Sequence, residues 1–221
     1  MDDTQVRVHG KTNLTYRISR PERPRPPSFL FFHGLGGDEN SMWVFAHTLP
    51  KTSVKLAIRG AFPWDLGGYG WVPLACADGT SLDHFDLAGQ AVRILVDDLG
   101  REGQIDRSSF AFVGFSQGAT LSFAMAASGV LTPVGIVALA ALLPQGDLSR
   151  LSRLPVFWAH GERDELVPIA RARADAGRLS EARSDLTFCE THAGHKVGLE
   201  CLRQLRPWLA DLAKAGTAHP P

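Results

Sequence analysis

The strongest constraint on the fold is a set of short apolar runs that recur along most of the chain. They read "FLFF" (29–32), "VKLAI" (54–58), "FAFV" (110–113), "VGIVALA" (134–140), "VFWA" (156–159) and "LTFCE" (186–190). Most are nearly continuous rather than alternating, the pattern of strands covered on both faces. Helical patterns fall between them. From 81 to 101, Phe85, Ala88, Val92, Leu95 and Leu99 recur three or four apart and share one face. Stretches 169–183 and 197–215 read as surface helices, the second broken or kinked at Pro207. Strands alternating with helices predict an α/β fold: a mainly parallel sheet with helices on both faces. Ahead of it, "TQVRVHGKTNLTYRIS" alternates Val6 and Val8, then Leu14, Tyr16 and Ile18, with polar residues, which predicts a half-buried antiparallel hairpin. A stiff, polar connector, "RPERPRPPS", follows. The 221 residues are expected to form one domain, 1–221, with 216–221 as a frayed tail.

Composition excludes several classes. The formal net charge is zero, so no global field favours nucleic acid or an anionic membrane. No apolar run is long enough to cross a bilayer, and "MDDTQVRVHG" is acidic without an apolar core, unlike a secretory signal. Cys76, Cys189 and Cys201 are odd in number, widely spaced and lack a CxxC pair. They are expected to be reduced thiols in a cytoplasmic protein.

One strand ends in an unusual way. "AFVGFSQGAT" (111–120) is apolar, then sets Ser116 between Gly114 and Gly118, then becomes helix-friendly up to Gly129. The bare G-x-S-x-G pattern is weak, but its position between a strand and a helix is specific. Such a turn strains its central residue, lifts the hydroxyl from the sheet and puts the next amides at a helix N-terminus. That is a nucleophile elbow; the alternative is a serine that caps the helix.

A serine nucleophile needs a base, and the base needs an orienting acid. Around such an elbow the chain order is Ser, acid, His. "THAGH" follows the last strand, and His195 is taken as general base ahead of His192. "VFWAHGERDELVP" offers Glu162, Asp164 and Glu165. Asp164 is favoured because Leu166 and Val167 after it should pack inward and Pro168 can open a helix; Asp147 is the rival acid. The oxyanion needs two amide donors. Gln117, directly after the nucleophile, supplies one. The glycine-rich "FLFFHGLGGDEN" supplies the other at Leu35. No GK[ST] or GxGxxG pattern accompanies that loop, against a phosphate or dinucleotide site.

"HGLGGDE", "GFSQGA", "HGERDELVP" and "GHKV" together resemble the α/β-hydrolases of the phospholipase/carboxylesterase group, which includes acyl-protein thioesterases. The resemblance implies the α/β-hydrolase fold, a catalytic Ser116–Asp164–His195 triad, a Leu35/Gln117 oxyanion hole, and ester or thioester hydrolysis without metal or organic cofactor. It also implies a small-molecule ester as partner and self-association into a homodimer. Dienelactone hydrolases share the fold but usually carry a cysteine nucleophile, so Ser116 argues against them. Two departures stand out. Ala140 and Ala141 in "ALAALLP" replace a Ser-Gly pair, removing its polar support. "RGAFPWDLGGYGWVPL" matches the thioesterase members poorly and carries Trp64, Tyr69 and Trp71. Tyr69 and Trp71, with Leu35, are the substrate-contact candidates; the alternative is that these rings pack on the protein itself. The leading expectation is a serine carboxylesterase for short- to medium-chain esters. The alternatives are an acyl-protein thioesterase or lysophospholipase, or a slow-turnover ligand-binding homologue. No insertion suits a mobile lid, so lipase action on aggregated fat is not expected.

Overall fold

The computed structural model describes residues 4–73 and 81–217, with side chains to residue 214. The strands are β1 (Thr4–Val8), β2 (Thr15–Ser19), β3 (Ser28–Phe32), β4 (Lys55–Ile58), β5 (Phe62–Pro63), β6 (Tyr69–Gly70), β7 (Phe110–Phe115), β8 (Ile136–Leu139), β9 (Pro155–Gly161) and β10 (Asp185–Thr191). The helices are α1 (Asp86–Arg101), α2 (Gln117–Ser128), α3 (Ile169–Glu181) and α4 (Leu199–Thr217). Eight strands form one sheet in the order β1-β2-β4-β3-β7-β8-β9-β10, while β5 and β6 pair in a small antiparallel ribbon. β1, β2 and β4 pair antiparallel; every pair from β4 to β10 is parallel. This is the α/β-hydrolase fold.

The apolar runs are continuous because each strand feeds two cores. Leu30 and Phe32 face a core shared with α1, α2 and α3. Phe29 and Phe31 face another, built with Met42, Leu49 and the Cys201, Leu205, Leu209 and Leu212 face of α4. All four of these apolar β3 residues are fully buried. Burying each side chain is worth about 1.5–3 kcal/mol before conformational entropy is subtracted.

Several boundaries differ from expectation. The hairpin forms, but only β2 is half buried. Val6 and Val8 are 55% and 65% exposed, because β1 is the sheet edge and the two cores end at β2. Its turn is anchored instead by His9 and Lys11, which reach Asp98 on α1 at 3.2 and 2.7 Å. The helix expected from 81 begins at Asp86, after a 3-10 turn at 83–85. α2 ends at Gly129 in the left-handed region, as its sequence suggested. α4 runs through Pro207 without interruption. Pro207 and Arg203 are exposed, so the carbonyl left without its helical donor faces water. α4 extends to Thr217, and residues 218–221 of the expected tail lie outside the described residues. Among the described residues no helix is long and apolar enough to cross a membrane.

The reduced-thiol expectation is overturned. Cys189 on β10 and Cys201 on α4 form a disulfide, with Cα atoms 5.8 Å apart. The spacing of 12 residues hid the pair, because it joins a strand to the helix that folds back across it. Cys76 lies outside the described residues. The cytoplasmic argument that rested on three free thiols falls with it. The crosslink closes the segment that carries His195. Denaturant melts should show the Cys189→Ala/Cys201→Ala variant losing on the order of 3 kcal/mol of stability, the loop-closure value for a ring of this size.

Candidate active site

The sheet order places the site. The chain leaves β3 for β4 on one side, then returns to β7 on the other. The crevice beyond the carboxyl ends of β3 and β7 is therefore a topological switch point, where ligands bind in open α/β sheets. The "HGLGG" loop leaves β3 there, and the serine turn leaves β7.

Ser116 has φ 50° and ψ −120°, a conformation costly for a residue with a Cβ. Its amide donates to the Leu139 carbonyl at 2.8 Å. Its side chain makes no capping hydrogen bond to α2, which removes the helix-cap alternative. The flanking glycines answer to contacts. A Cβ on Gly114 would meet the Ala119 Cα at 2.5 Å, and one on Gly118 the Phe32 and His33 carbonyl oxygens at 2.2 and 2.5 Å. The first turn of α2 thus presses directly on the end of β3.

Asp164 follows β9 and its side chain is fully buried. One oxygen, Oδ1, accepts the Leu166 and Val167 amides at 2.9 and 2.8 Å; Oδ2 accepts from His195 Nδ1 at 2.7 Å. Val167 packs inward as expected, but Leu166 is 73% exposed, because the turn that presents its amide to Asp164 sends its side chain outward. The histidine loop lies against this turn: Glu162 and Arg163 amides donate to the Thr191 and Ala193 carbonyls. A Cβ on Gly161 would meet the Gly194 carbonyl oxygen at 2.2 Å. The competing residues separate cleanly. His192 is exposed and pairs with Glu162, and Glu165 is exposed. Asp147 is exposed and spends both oxygens on Ser149.

The elbow and the imidazole meet through Phe115, whose ring lies edge-on to His195 at 5.1 Å. Ser116 and His195 are not joined by a hydrogen bond among the described residues, and such contacts commonly tighten only with substrate bound. The Leu35 and Gln117 amides have no acceptor among the described residues, and neither does that of Gly118 in the same first turn of α2, while the Gly36, Gly37 and Ala119 amides are bonded. A cavity of about 390 Å³ opens beside Leu35, lined also by Met42, Phe45, Phe115, Lys196 and Val197 among others.

One substrate-contact candidate is corrected, and the other two differ in exposure. Trp71 is fully buried, so its ring cannot touch a ligand. Tyr69 is half buried beneath the Arg59 guanidinium, 4.7 Å away, and its hydroxyl accepts from Arg59 Nη1. The Trp71 ring packs on the protein, the alternative that the sequence left open, while Tyr69 and Trp64 stay partly exposed. Leu35, 40% exposed, lines the cavity.

Sequence reasoning missed the supports beneath these groups. His160 is buried, donates from Nε2 to the Val167 carbonyl at 2.8 Å, and lies 3.5 Å from Asp164 Oδ2. The histidine four residues before the acid was the available signal. His33 accepts the Gly60 amide at Nε2 and donates from Nδ1 to the Gly34 carbonyl, so both ring nitrogens serve a neutral imidazole. Burial pushes its pKa below the ordinary imidazole value. Buried Glu39 clamps Arg59 through two bonds of 2.6 and 2.8 Å. Burial opposes its charge, but the Arg59 hydrogen bonds and charge prevail and hold its pKa below the ordinary glutamate value.

Both shifts are depressions in the folded state. The stability they carry is present above the ordinary imidazole and glutamate values and is lost as pH falls through the lowered ones. Thermal melts should therefore show Glu39→Gln less stable than the parent at neutral pH, with the gap closing once acid has protonated Glu39 in the parent.

Residues 13–212 match the family model described as Phospholipase/Carboxylesterase. The chain is 27% identical to acyl-protein thioesterase 1 of Kluyveromyces lactis, in an alignment covering 90% of this chain and 97% of that protein. It is 26% identical, over 68% of this chain and 69% of the other, to an Oryza sativa subsp. japonica protein named a probable inactive carboxylesterase. Its fold is similar to the Bacillus cereus carboxylesterase, with TM-score 0.76 and 19% identity over 90% of this chain and 94% of that one. By the family match over most of its length, and by a sheet and elbow that agree with it, the chain belongs to the phospholipase/carboxylesterase family of α/β-hydrolases.

Proposed function

We propose that this chain is a serine carboxylesterase that hydrolyses short- to medium-chain carboxylic esters through an acyl-enzyme. The observation that carries the reading is Ser116, held at φ 50° with its hydroxyl spent on no helix cap. Strain of this kind persists only where surrounding structure over-determines it, and it clusters at reactive positions.

The geometry supports a division of roles. Asp164 occupies His195 Nδ1, so that nitrogen carries the proton and Nε2 is left as the base. Ser116 Oγ attacks the ester carbonyl carbon as His195 Nε2 takes its proton. The carbonyl π electrons move to oxygen, and the Leu35 and Gln117 amides receive the oxyanion. As the carbonyl re-forms, the carbon–oxygen bond to the leaving alcohol breaks and His195 returns the proton to it. Water, deprotonated by the same imidazole, then releases the acid and Ser116. The cavity beside Leu35, with Met42, Phe45, Phe115 and Val197 in its walls, suits the acyl chain.

Thioester or lysophospholipid hydrolysis is the second reading, favoured by the relationship to the Kluyveromyces lactis thioesterase. A binder that turns over slowly is the third, and the rice relative's name shows why turnover itself must be measured.

Ser116→Ala should keep the fold and lose about 10⁴-fold or more in kcat/KM. Retained hydrolysis by that variant would remove the assignment. p-Nitrophenyl esters from acetate to palmitate, run beside an acyl-CoA under multiple turnover, should favour the shorter esters. Preference for palmitate or the thioester would select the second reading, and a single burst without turnover the third. Because the base must be unprotonated, kcat/KM should fall on acidification; a flat profile from about pH 8 to 5 would exclude a histidine base.

A further inference from the structure

We infer that Trp71 is a positioning residue that holds the two halves of the oxyanion hole in register. The inference rests on the hydrolase reading of the site. The two proposed donors lie on separate segments, Leu35 on the loop after β3 and Gln117 at the start of α2. Each must reach the same developing oxyanion at about 2.7–3.1 Å. Something has to fix one segment against the other.

Trp71 donates to both. Its backbone amide donates to Gln117 Oε1 at 2.8 Å, and its indole Nε1 donates to the His33 carbonyl at 2.7 Å. The indole is fully buried, edge-on to Phe32 at 5.5 Å and tilted over His33 at 5.0 Å, so the ring has little freedom to drift. Tyr69, on the strand just before it, continues the grip. The Gly36 amide donates to the Tyr69 carbonyl and the Tyr69 amide to the Gly37 carbonyl, both at 2.9 Å. Leu35 is therefore held between a bond at His33 on one side and the Gly36–Tyr69 bond on the other, while its own amide stays unspent.

A buried tryptophan needs a partner for its N–H simply to avoid a desolvation penalty. That role alone would leave turnover by folded molecules untouched. The positional role differs, because loosening either bond lets Leu35 and Gln117 separate. A displacement approaching 1 Å is worth on the order of 100-fold in rate.

Trp71→Phe keeps an apolar ring and removes the indole donor. Gln117→Leu keeps the catalytic amide and removes the acceptor for the Trp71 amide, and it serves if the first variant fails to fold. Active sites are titrated with a fluorophosphonate, so that kcat refers to folded, reactive protein only. Inhibition by a trifluoromethyl ketone, which forms a tetrahedral oxyanion on Ser116, is measured in parallel. The expected result is a kcat lowered about 10- to 100-fold with KM within about threefold, and a ketone Ki raised by the factor lost in kcat/KM. A kcat per titrated site within about twofold of the parent in both variants would overturn the inference. So would a ketone Ki unchanged while kcat falls. If the parent chain hydrolyses no ester at all, the hydrolase reading fails and takes the inference with it; an active parent with unaffected variants refutes the inference alone.

Discussion

The contact on which the rest of the site depends is between the first turn of α2 and the carboxyl end of β3. At Gly118 there is no room for a Cβ against the Phe32 and His33 carbonyls. That approach brings the turn after β7 against the loop after β3, the two segments that flank the switch point of the sheet. It also explains the backbone of Ser116. With β7 paired to β3 and β8, and α2 pressed onto the sheet, the one residue between strand and helix must take the positive-φ turn. Large apolar burial on both faces offsets a local strain of about 1–3 kcal/mol.

The second half of the site is assembled differently. Asp164 and His195 sit on loops after β9 and β10, parallel neighbours in full register from Pro155 to Gly161. Their loops therefore emerge side by side. Gly161 permits close contact, two backbone bonds join the loops, and the Cys189–Cys201 disulfide pins the histidine segment to α4. Both oxygens of Asp164 are occupied, and His160 sits below. The imidazole is thus held from behind by its hydrogen bond to Asp164 and from the side by Phe115. Rigid strands hold both halves, and the loops between them have little left to decide.

Much of this was legible in the chain. Continuous apolar runs announced strands buried twice over, and β3, β4, β7, β8 and β9 lie where those runs are, while the β10 run forms a partly buried edge strand. "GFSQG" could be read because its glycines obey a steric rule that holds in any such turn. "HGERDELVP" and "THAGH" could be read because each follows a strand and supplies an ionisable group at its end. Trp71 could not be read. A tryptophan among glycines looks the same whether it rims a cavity or fills the core, and only its neighbours Phe32 and His33, distant in sequence, decide which. The same holds for Val6 and Val8, whose alternation promised a buried face that the sheet edge does not provide.

The sequence by itself determined the layered fold, the elbow and the residue types of the site, because periodicity and local sterics act within a few residues. Tertiary structure alone decided which partners those residues meet. It joined Cys189 to Cys201, set Glu39 on Arg59 and turned Trp71 inward to bridge His33 and Gln117. The Glu39 and Trp71 contacts span segments brought together by strand order, which the whole sheet settles rather than any stretch of it, and the disulfide depends on how α4 folds back across β10.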